Sequence, residues 1–177
     1  MIPSFPNILL VGSNTRKTGK STLICKLLEK YGNEHSISAI KLAIYDDIND
    51  LKSHYPDASE KGVYIIEEQE TGEKDSKKFL ASGAHRSWFV AIMEAEIDQV
   101  IDLIKSLKNE GGFLIVESTS FRNYIIPGLF IFVNKTSTKN KKREVRSMAD
   151  LEIATGSEDF KNIDQIICLE QGMWVYC

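Results

Sequence analysis

The sequence predicts a three-layer α/β fold built on a mostly parallel sheet. Three observations predict it. Short wholly apolar runs recur along the chain, amphipathic stretches of helical spacing separate them, and glycines stand where those stretches stop. Strands that are apolar on both faces belong in a parallel sheet covered by helices on either side. The chain of 177 residues suits one domain, 1–177.

In chain order, Ile8-Leu9-Leu10-Val11 reads as a buried strand, and a polar loop from Gly12 to Gly19 follows it. Leu23, Ile24, Leu27, Leu28 and Tyr31 recur at helical spacing, with Gly32 as the stop. Residues 36–44 read as a second strand, 46–57 as an acidic mobile loop, and Val63-Tyr64-Ile65-Ile66 as a short strand. A helix is expected over Asp75 to Ala81 and a strand over 88–93. Ile97, Val100, Ile101, Ile104 and Leu107 then form an apolar helical stripe that ends at Gly111-Gly112. Phe113-Leu114-Ile115-Val116 and Leu129-Phe130-Ile131-Phe132-Val133 are further buried strands. A helix is expected near Val145 to Ala154, then a strand over 166–169. Gly172 and Met173-Trp174-Val175-Tyr176 allow a C-terminal hairpin, with Trp174 and Tyr176 at an edge or a dimer contact.

Composition narrows the class. Hydrophobic residues at 42% and charged residues at 27% fit a globular chain, and a formal charge of −3 argues against a general nucleic-acid or anionic-membrane coat. No apolar run is long enough to span a bilayer, and residues 1–6 have no basic leader. Cys25, Cys168 and Cys177 are odd in number and widely spaced, so all three are expected as free thiols in a reducing cytoplasm. His35, His54 and His85 match no metal-ligand spacing.

The most informative segment is Asn14-Thr15-Arg16-Lys17-Thr18-Gly19-Lys20-Ser21, followed by Thr22. It carries the G-K-S half of the Walker A pattern, between a predicted strand and a predicted helix. Backbone N–H groups of such a loop curl around a phosphate, and the helix N-terminus adds its dipole. Gly19 lets the backbone approach phosphate oxygens, Lys20 reaches the β- and γ-phosphates, and the Ser21 hydroxyl holds Mg²⁺. Asn14 stands where the pattern has its first glycine. Asn tolerates left-handed backbone geometry, so the loop can still close there. Arg16 and Lys17 either stabilise charge on a transferring phosphoryl group or point into water, and the sequence leaves both open.

A carboxylate is needed to orient Mg²⁺ or an attacking water, and Glu117 at the end of Phe113-Leu114-Ile115-Val116 is the candidate, as in a Walker B strand. Ser118, Thr119 and Ser120 follow it and are available for polar contacts. The sequence therefore predicts a P-loop NTPase fold binding GTP or ATP with Mg²⁺.

Further along, Ala39-Ile40-Lys41, then Glu73-Lys74-Asp75-Ser76 with Ala81-Ser82-Gly83-Ala84, then Leu114-Ile115-Val116-Glu117 follow the loop in order. With the loop, these segments resemble the molybdopterin-guanine dinucleotide biosynthesis protein B family over residues 8 to about 134. The departures are Leu42-Ala43 after Lys41, where that family usually has histidines, and Ser118 in place of its glycine. The resemblance implies a GTP-binding, weakly hydrolysing, often dimeric protein that assists a partner enzyme in cofactor maturation. It also implies that Asp75 lies near the nucleotide or its metal; a helix N-cap is the alternative. The loop around Gly12-Ser13-Asn14-Thr15 is similar to that of dethiobiotin synthetase as well. That likeness implies a small-molecule kinase or ATP-dependent ligase with a substrate pocket lined by Lys41 and 118–122; a nucleotide-binding module without catalysis is the third alternative.

Base choice has one candidate. Asn134-Lys135-Thr136-Ser137 resembles the guanine-reading N-K-x-D, but Ser137 stands in place of the carboxylate that would accept the guanine N–H groups, and a plain strand exit is the favoured alternative. Lys135, Lys139, Lys141, Lys142, Arg143 and Arg146 form a basic stretch, read as a solvated loop or as a lid over phosphates or a docking patch for an acidic partner.

Overall fold

The structure is a computed structural model that describes residues 1–135 and 142–177. Thr136, Ser137, Lys139 and Lys141 lie outside the described residues. The first half of the chain alternates β1 (Ser4–Ser13), α1 (Lys20–Tyr31), β2 (Ile37–Tyr45), α2 (Ile48–His54), β3 (Val63–Glu67), α3 (Asp75–Ala81) and β4 (Arg86–Met93). The second half runs α4 (Asp98–Asn109), β5 (Phe113–Glu117), β6 (Ile126–Asn134), α5 (Arg143–Arg146) and β7 (Leu151–Ala154). It ends with α6 (Glu158–Lys161), α7 (Ile163–Ile166), β8 (Ile167–Glu170) and β9 (Met173–Tyr176).

Seven strands form the central sheet in the order β3-β4-β2-β5-β1-β6-β7. Every neighbouring pair is parallel except β3 with β4, which is antiparallel at the edge. Alternation along each strand divides the core into two layers. Leu9, Val11, Ala39, Ile115 and Ile131 pack on one side with Leu23, Ile24, Leu27 and Leu28 of α1 and Phe79 of α3. Leu10, Ile40, Val90, Val116 and Phe130 pack on the other with Val100, Ile101 and Ile104 of α4. Burial of each such side chain contributes about 1.5–3 kcal/mol, so the two stripes fix which way each strand faces. Gly32 closes α1 with φ −64°, so its need is space rather than a left-handed turn. A Cβ there would sit 2.3 Å from the Gly83 carbonyl oxygen.

One cross-strand row matters for everything below. Ile66 pairs with Phe89, Phe89 with Lys41, Lys41 with Glu117, and Glu117 with Val11. Partners in register share a face. Lys41 and Glu117 follow Ala39 and Ile115 at the two-residue period of a strand, so both are turned toward the layer that holds α1.

Four readings of the sequence are corrected. Residues 46–57 are not a loop throughout: Asp47 accepts from the amides of Asn49 (2.8 Å) and Asp50 (2.9 Å) and so nucleates α2. The helix expected over 145–154 stops at Arg146, and 151–154 is a strand beside β6. Glu152 and Ala154 favour helix intrinsically, but Ile153 is buried and Asp150 bonds Phe130 both through its own amide and through its carboxylate. The C-terminal hairpin forms as β8 and β9, yet it joins Cys168 to Cys177 in a disulfide with Cα atoms 5.8 Å apart. The hairpin folds two distant sequence positions together, which spacing alone does not show. Only Cys25 is a free thiol among the described residues, and the argument for a reducing compartment loses its premise. Trp174, 1% exposed, belongs to the core between Tyr31 and Phe113 rather than to a dimer contact. No helix among the described residues is long and apolar enough to cross a membrane.

Candidate functional site

The loop after β1 is braced before it turns. Thr119, two residues past β5, accepts from the Ser13 amide (2.9 Å) and donates to the Ser13 carbonyl (3.0 Å). The Asn14 side-chain amide brackets the backbone of Lys135, donating to its carbonyl and accepting from its amide, both at 3.3 Å. Asn14 thus ties the ends of β1 and β6 together. The left-handed turn expected at Asn14 falls instead on Lys17, with φ +56°, and on Gly19, with φ +89°. Gly19 caps α1 through its carbonyl, which accepts from Leu23 at 3.0 Å. The segment after β7 covers the turn from outside: Thr155 donates to the Thr18 carbonyl (2.9 Å), and a Cβ on Gly19 would meet the Phe160 ring at 2.6 Å.

Inside this bend lies a recess of about 420 Å³, lined by the consecutive residues Arg16 to Thr22 and by Lys41, Asp75 and Glu117. Of the residues the sequence nominated, Arg16, Lys17, Thr18, Gly19, Lys20, Ser21, Thr22, Asp75 and Glu117 therefore converge. Asn14 and Thr15 do not line it: Asn14 is spent on Lys135, and the Thr15 carbonyl accepts from Ser13 Oγ at 2.7 Å. Asn134 does not converge either, since its amide donates to Glu152 at 2.8 Å. Asp75 is the first residue of α3 rather than its N-cap, which is Lys74.

The charges form a chain. Lys20 folds back to donate to Ser13 Oγ at 2.7 Å and stands 3.8 Å from Glu117. Ser21 Oγ donates to the other Glu117 oxygen at 2.9 Å. Lys41 donates to Glu117 and, at 2.9 Å, to Asp75. Burial depresses the Lys20 pKa below its ordinary value; the Glu117 carboxylate opposes this, and the nearby Lys41 and Lys142 reinforce it. Burial pulls Lys41 the same way, but its bonds and charge contacts with Glu117 and Asp75 win and hold it above the ordinary lysine value. Burial works to raise the Asp75 carboxyl, but the bond and charge of Lys41, with Ser21 and Lys78, together outweigh that and lower it.

Beyond Lys41 the surface divides. A second recess of about 350 Å³ brings Arg16, Lys20, Lys41 and Lys142 around Glu117 and Ser118 to Ser120. A third, of about 690 Å³, lies toward β3 and β4, and Lys41 lines all three. Arg122, named with 118–120, turns to the Ile125 carbonyl instead.

Sequence reasoning placed Lys41 only by resemblance. Its own signal is a cation at an inward position of an otherwise apolar strand. Lys142 was read within a basic stretch, and the bracing role of Phe160 has no signal in the sequence. No family model, curated protein or solved structure matches the chain.

Proposed function

We propose that the chain is a P-loop protein that binds GTP or ATP with Mg²⁺ and hydrolyses it slowly as an accessory to a partner enzyme of cofactor maturation. The accessory role rests on the resemblance to the molybdopterin-guanine dinucleotide biosynthesis protein B family. The observation that carries the binding is the recess whose wall is the unbroken stretch Arg16 to Thr22 at the start of the 12-residue α1, with Lys20 beside it. Successive amides and a helix N-terminus are the usual partners of phosphate oxygens.

The donor set suits Mg²⁺. Ser21, Glu117 and Asp75 present hard oxygens, Ser21 also bears on Asp75, and two carboxylates with phosphate oxygens are the usual company of this ion. Among the described residues no cage of three or more His, Cys, Asp or Glu exists, so the phosphates must complete its shell. When bound, the ion neutralises phosphate charge. The protein's own part is to bind and orient. Lys20 and Lys142 crowd each other in the free site, and a polyanion between them removes that repulsion. Glu117 fixes Ser21, and Lys41 links Glu117 to Asp75. With Asn134 held by Glu152, the reading covers both bases. A second reading, phosphoryl transfer to a small molecule, is favoured by the 690 Å³ cavity that opens on the far side of Lys41.

Titration calorimetry of Mg·ATP and Mg·GTP against wild type and Lys20→Ala tests the proposal. The expected result is a loss of about 10- to 100-fold in affinity, the worth of charge-assisted hydrogen bonds to phosphate. Equal affinity in both proteins rejects it.

A further inference from the structure

The large cavity beside Lys41 is built differently from the loop recess. One wall is aromatic. Tyr55 at the end of α2, Tyr64 of β3 and Phe89 of β4 come together with ring centroids 5.1 Å (Tyr55–Tyr64), 5.2 Å (Tyr55–Phe89) and 6.1 Å (Tyr64–Phe89) apart. Register explains the cluster: Tyr64 lies opposite Ala91 and Ile66 opposite Phe89, so Tyr64 and Phe89 are diagonal neighbours on one face. All three rings are half-buried, so ring surface remains open to the cavity. Burial pushes the Tyr55 hydroxyl up to about 12.

The facing side is polar and rich in acceptors. Asp75 and Glu68 line it, the latter accepting from Ser76 at 2.6 Å. Two of the three lysines there are engaged: Lys41 with Glu117 and Asp75, and Lys77 with Glu70 at 2.7 Å. A carboxylate has about four lone-pair sites, so both acids retain capacity after these bonds. A ligand that fits must therefore present a flat apolar face on one side and hydrogen-bond donors on the other. A volume of about 690 Å³ is that of an ordinary small-molecule site.

We infer that this cavity binds a second small molecule, an uncharged planar aromatic or heteroaromatic compound bearing a hydroxyl or amine donor. Its ring lies against Tyr55, Tyr64 and Phe89, and its donor meets Asp75 and Glu68. The row Phe89–Lys41–Glu117 then places that ligand next to the loop recess, with Lys41 between the two. The inference names the second ligand of the proposed site, and its meaning for phosphoryl transfer rests on the triphosphate reading.

The test uses the full chain and two neutral probes of the same outline, β-naphthol and its saturated counterpart β-decalol, followed by ligand-observed NMR. β-Naphthol should bind about tenfold more tightly than β-decalol, because only the flat ring gains the aromatic contact. Tyr55→Leu, and separately Tyr64→Leu, should weaken β-naphthol about fivefold while leaving Mg·ATP affinity within about twofold. Saturating Mg·ATP should not displace the probe. Equal binding of the two probes, no response to either substitution, or displacement by Mg·ATP overturns the inference. Tyr55-dependent binding of β-naphthol in a protein that fails to bind Mg·ATP or Mg·GTP upholds the cavity and overturns the loop reading instead.

Discussion

The recess inside the loop and the aromatic cavity beside it share Lys41 and Asp75, yet they are assembled in opposite ways. The first is walled by seven consecutive residues, Arg16 to Thr22, in a loop braced by residues just past β5 and β6 and by the segment after β7. Apart from Lys41, the second draws its wall from residues 54–89, whose members meet because β3 runs antiparallel to β4 and α2 packs beside them. The difference teaches where specificity can reside. A loop of backbone groups and cations takes any phosphate of suitable size, whereas a wall of side chains from separate elements can be reshaped without disturbing the loop.

The largest effect expected from breaking this comparison is at Gly19. Its φ of +89° disfavours any side chain, and a Cβ there would lie 2.6 Å from the Phe160 ring. Gly19→Ala should cost about 3 kcal/mol of unfolding free energy, read as a lower urea midpoint at unchanged slope. Phe160→Ala in the same chain should recover part of that loss, because it removes the clash and leaves only the backbone strain. β-Naphthol binding by the folded protein should be unchanged, since neither residue lines the cavity. A fully additive double variant would show that Phe160 does not press on the loop.

The same contrast explains what was legible in the sequence. The parallel sheet was, because apolar runs such as Phe113-Leu114-Ile115-Val116 leave only one burial pattern. The placement of the G-K-S segment between a strand and a helix was, because both neighbours carry clear periodicities. Glu117 was legible as the polar end of an apolar strand. The position of the left-handed residue was not: the sequence pointed to Asn14, whose side chain is committed to Lys135, and the turn falls on Lys17 and Gly19. The strand at 151–154 was hidden because its pairing with β6 overrides the helical preference of Glu152 and Ala154. The aromatic cavity and the Cys168–Cys177 bond depend on register and on a hairpin, neither of which a spacing rule contains.

Lys41→Met strikes the point the two cavities share. Glu117 is 3% exposed and would keep Ser21 and the more distant Lys20, but lose its closest cation. An under-compensated buried carboxylate costs about 2 kcal/mol, a smaller loss than at Gly19 because Lys20 remains. Chemical denaturation at neutral pH measures it. Both ligands should also weaken, which separates this variant from Gly19→Ala. Unchanged stability would mean that Lys20 closes the 3.8 Å gap and replaces Lys41 outright.

Asp75 gives the smallest effect and a pH signature. Its carboxyl titrates below the ordinary 3.8 in the folded protein, through Lys41. A carboxyl with a depressed folded pKa binds fewer protons folded than unfolded between the two values. Its stabilisation is therefore complete above 3.8 and disappears as pH falls through the folded value. Its side chain is 39% exposed, so solvent screening holds the contribution below about 1 kcal/mol. Urea midpoints of wild type and Asp75→Asn should differ by a constant small amount near neutrality and converge in acid. In the Lys41→Met background the difference should shrink, because the bond and charge of Lys41 are the largest of the influences that lower the Asp75 pKa, ahead of Ser21 and Lys78. A difference that persists unchanged into acid would mean that it does not arise from titration of Asp75; one that titrates but survives Lys41→Met intact would place the source of the shift in Ser21 or Lys78 rather than in the ion pair that joins the two cavities.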